Sequence, residues 1–368
     1  MDSRLRGNDK RGTFRSDTSY VSAQFVAGGK TFAASFNISP VLGMFITAGI
    51  VLIYTILGGF LAVSLTDVFQ AFFMIVALVI LPISAIVDRG GLAQVMMELR
   101  GIDIALVDPM ALGFGALIGF IGIGLGSPGN PHILVRYMSI DDPDQLKVSA
   151  VIGTFWNVVM AAGALFIGLV GRVYFPQASL IPGGDVERLY PILAQHHLHP
   201  ILFGVVIASI FAAIMSTADS QLLVAASSVV NDLYEKVVKR GEKLSQRMLV
   251  LYSRIIVVLL VVISIGIGTV ASKLVFWLVL FAWAGLGASL GPTSILALFW
   301  RRTTRAGVAA GFIAGTLTTI IWYYVPALKG FMYELIPAFI IGLAATVIVS
   351  LMTKPPEDTD EMFESMIR

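Results

Sequence analysis

The sequence predicts an all-α integral membrane protein of about ten spanning helices, and three observations carry that prediction. The chain is 57% hydrophobic and only 13% charged, with a mean hydropathy of +0.87, far above ordinary globular domains. Long apolar stretches recur with few charges inside them, the pattern of helices that cross a bilayer. Barrel strands would be shorter and would alternate apolar with polar residues.

Reading apolar blocks against charged or Pro/Gly-rich breaks places the helices in order. The first, 17–38, is rather polar. It is followed by 41–63, 66–88, 109–138, 148–174, 197–218, 247–270, 274–300, 305–324 and 333–352. Residues 218–240 should continue past the membrane as an amphipathic cytoplasmic helix. The stretch "GGDVERLYPILAQH" (183–196) reads as a short helix on the opposite surface.

Charge placement orients the set. Lys236, Lys239, Arg240, Lys243 and Arg247 crowd one loop, and Arg301, Arg302 and Arg305 crowd another two helices later. Both loops therefore read as cytoplasmic, while 176–200, with one arginine and no lysine, reads as external. Alternation puts both termini inside, in the inner (plasma) membrane. The first sixteen residues have no apolar core, so no cleavable signal is expected.

The chemistry-bearing residues gather in "FAAIMSTADSQLLVAASSVVNDLY" (211–234). Ala213, Ser216 and Thr217 stand at i, i+3 and i+4 and share one helix face. Two hydroxyls and the Ala213 carbonyl form part of a cage of hard oxygen donors, suited to a small hard cation such as sodium. Equally, Ser and Thr can bond back to carbonyls one turn earlier or glue neighbouring helices. Asp219, Ser220 and Gln221 are expected at the cytoplasmic boundary, where polarity costs little.

Three other stretches carry polar signals. Ser64-x-x-Asp67 has the form of a capping box at the start of helix 66–88, which would give Asp67 a structural role. "GIGLGSPGNPH" (122–132) holds four glycines and two prolines at membrane depth, so it should interrupt its helix or form its exit loop. "HHLH" (196–199) has metal-like spacing but no carboxylate cluster, and caps the helix starting at Pro200. The run "PPEDTDEMFESM" (355–366) reads as an acidic, disordered tail.

"AAIMSTADSQLLVAASSVVNDLY" resembles the signature segment of the solute:sodium symporter family, most closely its bacterial sodium/proline members. "YTILGGFLAVSLTDVFQA" (54–71), "GLGSPGNPHILVRYM" (124–138), "FAWAGLGASLGP" (281–292) and "FWRRTTRAGVAAG" (299–311) agree in the same order, so the resemblance covers 20–352. It implies a leucine-transporter-type fold of two inverted five-helix repeats with ion and solute bound near the midplane. On that map residues 17–88 are the third to fifth helices of an incomplete first repeat, and 109–300 the second repeat. Two extra helices fill 305–352, and 353–368 is a cytoplasmic tail. Residues 1–16 resemble nothing in the family and read as an unrelated basic leader on an N-terminally truncated chain, expected to be incompetent for transport.

The resemblance also implies site roles. Ala213, Ser216 and Thr217 would ligate Na+, and Asp67 would lie on the ion's path to the cytoplasm. The solute would be lined by Ile123, Ser127 and Asn130, with Trp283 as an aromatic wall. The proline symporters carry a tryptophan and a tyrosine at the positions of Ile123 and Ser127, so this departure puts the substrate in question. The implied function is sodium-coupled symport of a small organic solute, most simply an amino acid such as proline. Another solute, such as a carboxylate or vitamin, or a sensor built on the same domain, is the alternative. Na+ is the coupling ion, no cofactor is expected, and the partners are the solute and the bilayer. No nucleophile–base pair, phosphate loop or metal constellation supports an enzyme, and the basic loop 236–247 is a face for solvent or lipid, not for nucleic acid. The sequence leaves oligomeric state open.

Overall fold

The computed structural model describes residues 12–108, 110–239, 244–270, 275–357 and 359–367. Most of the basic leader, together with Arg240 and Lys243 of the basic loop, lies outside them. Every regular element among the described residues is helical. Among the described residues, seven helices are long and apolar enough to cross a membrane, one of them 49 residues long. Large apolar side chains such as Leu61 (73% exposed) and Val151 (71%) line the outside of the bundle, as expected where lipid, not water, is the solvent.

The first helix, α1 (Gly12–Phe36), is central despite its polarity. Its Val21, Ser22 and Phe25 are fully buried. Its side chains join a core with α2 (Pro40–Asp88), α8 (Pro200–Ser227) and α9 (Gln246–Val270).

The sequence reading divides 41–88 into two helices with a break at 63–66. The structure moves the break to Gly59, the single non-helical residue of α2, at φ 63°. That left-handed conformation favours glycine, because a Cβ would clash with the carbonyl. The packing shows that the chain reverses there. A straight helix would put Met44 about 35 Å from Asp67. Instead, Met44, Ala48 and Val51 share a core with Ala218 and Leu222 of α8, while Asp67 reaches Ser220 of α8 through a single arginine. Further on, Ala77, Leu81 and Ala85 pack with Leu193 and Val206, nearer the start of α8.

Residues 89–108, left between the expected spans 66–88 and 109–138, contain α3 (Leu92–Ile102). It is short and amphipathic, with Val95 and Leu99 buried in the second core and Arg89 forked onto Glu98 at 2.9 and 2.7 Å. The helix expected at 109–138 is broken into α4 (Phe114–Ile121), a 3-10 segment (Gly122–Gly129) and α5 (Pro131–Met138). Then come α6 (Gln145–Tyr174), the short surface helix α7 (Leu189–His197) and α8, which extends through a π-helical stretch to Val238. The nitrogen Nδ1 of His199 accepts from the Ile201 amide at 3.4 Å and caps α8.

After α9, α10 (Val275–Phe299), α11 (Arg305–Tyr324) and α13 (Leu335–Met352) form a third packed unit, with α12 (Pro326–Phe331) joining the last two. The tail read as disordered instead forms α14 (Thr359–Ile367). Asp360 and Glu361 sit in its positive first turn, and Arg301 pairs with Asp360 at 3.5 Å and stacks on Phe363.

Candidate ion and solute site

On α8 the unbroken helix fixes the hydroxyls. Ser216 Oγ donates to the Ala213 carbonyl at 3.2 Å, one turn back. Thr217 lies on the same face, and all three residues are half-buried. One turn on, Ser220 Oγ donates to the Ser216 carbonyl at 2.8 Å. An arriving Na+ would compete only for bonds that these groups make among themselves, and their oxygens are the hard donors that suit it.

Asp219, Ser220 and Gln221, expected at a wet boundary, are all buried. Asp219 Oδ2 and both amide atoms of Gln221 have no partner. The correction follows from the fold: the reversal at Gly59 brings both arms of α2 against this stretch of α8 and covers it. The capping role for Asp67 also fails. Helix runs on both sides of it, Ser64 Oγ donates to the Phe60 carbonyl at 2.9 Å, and Asp67 forms an ion pair with Arg136 of α5. Arg136 Nη2 also donates to Ser220 Oγ at 2.6 Å. Asp67 therefore connects to the candidate ion face of α8 through Arg136, Ser220 and the Ser216 carbonyl. Sequence reasoning missed Arg136, although it is the lone charged residue between 114 and 138.

The second group lies in the break. Trp283 Nε1 of α10 donates to the Ile123 carbonyl at 2.9 Å. Asn130 Nδ2 donates to the Gly126 carbonyl at 2.7 Å, and the Ser127 carbonyl accepts from the Asn130 amide at 3.2 Å. Asn130 is fully buried, with Oδ1 unpartnered. Ile123, Ser127, Asn130 and Trp283 thus form one cluster at the interrupted helix. The candidate ion face stands on a separate element, α8, joined to it through Arg136 of α5.

Comparison with known proteins agrees with this architecture. The profile described as "Sodium:solute symporter family" matches residues 13–315. The osmoregulated proline transporter OpuE of Bacillus subtilis is 38% identical over 341 residues, covering 92% of this chain and 69% of the relative. The high-affinity proline transporter PutP of the same organism is 38% identical, with 92% and 71% covered. A sodium/proline symporter of Staphylococcus aureus is 38% identical, with 92% and 68% covered. Among solved structures, the substrate-bound outward-open state of a Na+-coupled sialic acid symporter superposes with a TM-score of 0.68 at 20% identity, covering 93% of this chain and 75% of the other; it speaks to the fold. The bundle and its broken helix are those of a membrane transporter. The chain belongs to the sodium:solute symporter family.

Proposed function

We propose that the protein carries a small organic solute across the membrane with Na+ as the coupling ion, and that the solute is proline. The observation that carries this reading is the α8 face, where Ala213, Ser216 and Thr217 offer three hard oxygens in a chain 38% identical to named proline transporters. Asp67 and Arg136 then lie beside the ion's path, and Ile123, Ser127, Asn130 and Trp283 line the solute. A second reading rests on the resemblance, which implies that the proline symporters carry aromatic residues at the positions of Ile123 and Ser127 and so suits a differently shaped solute here.

Ten crossings in two inverted repeats are part of this proposal. The two arms of α2, the broken segment 114–138 and α1 would add to the remaining apolar helices. The arginines and lysines of 236–247 and 301–305 favour cytoplasmic termini. Because the chain has no cysteine, Ser245→Cys tests this cleanly: it should escape an impermeant thiol reagent in intact cells, and labelling there overturns the orientation.

The function is tested in membrane vesicles containing the gene product, under an inward Na+ gradient. Against the expectation of a transport-incompetent fragment, labelled proline should accumulate, and Ser216→Ala and Thr217→Ala should each raise the Na+ concentration for half-maximal uptake at least tenfold. Uptake unchanged when K+ replaces Na+, or normal Na+ dependence in both variants, overturns it.

A further inference from the structure

The first half of the broken helix presents one face without side chains, formed by Gly115, Gly119, Gly122 and Gly126 at i, i+4, i+7 and i+11. The segment 331–336, which joins α12 to α13, lies directly on that face. A Cβ at Gly115 would meet the Phe331 carbonyl, one at Gly119 would lie 3.2 Å from the Tyr333 Cβ, and one at Gly122 would lie 2.5 Å from the Ile336 side chain. At Gly126 the neighbour changes to the Trp283 indole of α10. The backbone of 115–126 therefore rests on two supports, α10 and the start of α13.

Tyr333 links those supports. Its Oη donates to the Leu280 carbonyl of α10 at 2.6 Å, one turn before Trp283 on the same helix face. Tyr333 and Trp283 pack against one small core of Ala284, Ala288, Leu335 and Ala338. From there Trp283 Nε1 returns to the Ile123 carbonyl, one turn after Gly119. The contacts close a circuit: Tyr333 stands on Gly119, its hydroxyl ties α10, and α10 holds Ile123 through the indole. The base of the circuit is fixed from the far side, because Trp322 Nε1 of α11 donates to the Met332 carbonyl at 3.1 Å. A hydroxyl aimed from an anchored segment sets a direction as well as a distance.

We propose that Tyr333 is a positioning residue for the solute site: its hydroxyl sets α10 against the broken segment and so holds Trp283 as the wall of that site. The effect on uptake rests on the transport reading above; the placement of the indole does not. A binding wall must keep its place to about 0.5 Å to hold a small ligand well, so loss of the tie should weaken solute binding before it weakens the fold. The start of α13, in a region that the repeat scheme treats as an addition, then belongs to the support of the solute site.

The test has two arms. In the vesicle assay, Tyr333→Phe keeps the ring on Gly119 and removes the hydroxyl alone. It should raise the KM for proline about tenfold while the maximal rate and the Na+ requirement stay within about threefold of wild type, as expected when ground-state binding is lost. Trp283→Phe should raise KM by a similar factor, and the double variant should go no further, because both changes cut one connection. Tyr324→Phe, on an exposed ring, should leave KM unchanged. The second arm needs no transport. In protein labelled with fluorotryptophan, the Trp283 fluorine resonance, identified by its loss in Trp283→Phe, should move in Tyr333→Phe while that of Trp156 stays in place. A fall in maximal rate at unchanged KM, additive losses in the double variant, or an unmoved Trp283 resonance overturns the proposal. Absence of Na+-dependent uptake in the wild type overturns the transport reading, and the fluorine arm then decides the positioning role by itself.

Discussion

Along α8, residues 213–221 keep the helix intact and turn their hydroxyls back onto their own carbonyls, with Ser216 on Ala213 and Ser220 on Ser216. Residues 122–130 do the reverse: they give up the α-helix, and another element satisfies what is freed, with Trp283 on the Ile123 carbonyl. Both stretches place polar groups where lipid offers no hydrogen bonds, yet they differ in what holds them. In the first, the Ser216 hydroxyl bonds within its own helix, so under the proposed function an ion would borrow it without breaking a tertiary contact. The second depends on close fit to α10, so its geometry and the bundle's stability are one property.

The largest effect should come from breaking that fit. A Cβ at Gly129 would lie 2.6 Å from the Leu286 carbonyl oxygen and 2.7 Å from the Gly287 Cα and the Gly291 amide nitrogen, all backbone. Backbone cannot rotate aside, so Gly129→Ala should destabilise the protein by about 3 kcal/mol, the upper part of the overpacking range. Gly124 lies in the same segment with open space around it, and Gly124→Ala should melt within a degree or two of wild type. Equal melting temperatures for the two variants in detergent would show that α10 does not hold the break.

A smaller effect is expected where the two regions are joined. Arg136 is the shared partner of Asp67 and Ser220, and its removal leaves Asp67 beside Asp219 without a counter-charge. Its side chain is 40% exposed against 18% for Asp67, so Arg136→Gln should cost about 1–2 kcal/mol, below the toll of a fully buried pair. Adding Asp67→Asn should restore part of that loss. Strict additivity of the two changes in a double-mutant cycle would mean that the pair contributes nothing.

The contrast also explains what could be read in advance. The α8 face was legible because its residues are local: spacing i, i+3, i+4 fixes a common face whatever surrounds the helix. The interruption at 122–129 was legible because glycine and proline act on their own backbone. What the sequence hid was long-range. Gly59 lies beside another glycine inside an apolar run, and nothing local says which of them takes φ 63°. With the reversal misplaced by a few residues, Asp67 looked like a cap and Asp219 and Gln221 looked wet. Arg136 went unread because its partners are 69 and 84 residues away. The helix α3 was missed because its eleven residues are too short and too mixed to read as a crossing.

The smallest effect is the most discriminating. In Na+-free buffer, Ser216→Ala removes a hydroxyl whose bond is to its own helix. The bond's net value of about 1 kcal/mol is largely offset by alanine's better helix propensity and by freeing a carbonyl that keeps its backbone donor. The variant should therefore unfold within about 0.5 kcal/mol of wild type in KCl. In NaCl the two should part. A ligand present at a hundred times its dissociation constant stabilises the folded state by about 2.7 kcal/mol, and a site that has lost one of its oxygens forfeits most of that gain. Melting curves in NaCl and KCl at matched ionic strength separate the terms: wild type should gain stability from Na+, and Ser216→Ala should gain little. Thr217→Ala should behave alike if its hydroxyl faces the same ion. If Ser216→Ala lowers the melting temperature equally in both salts, the hydroxyl is helix glue, and α8 resembles the broken segment after all.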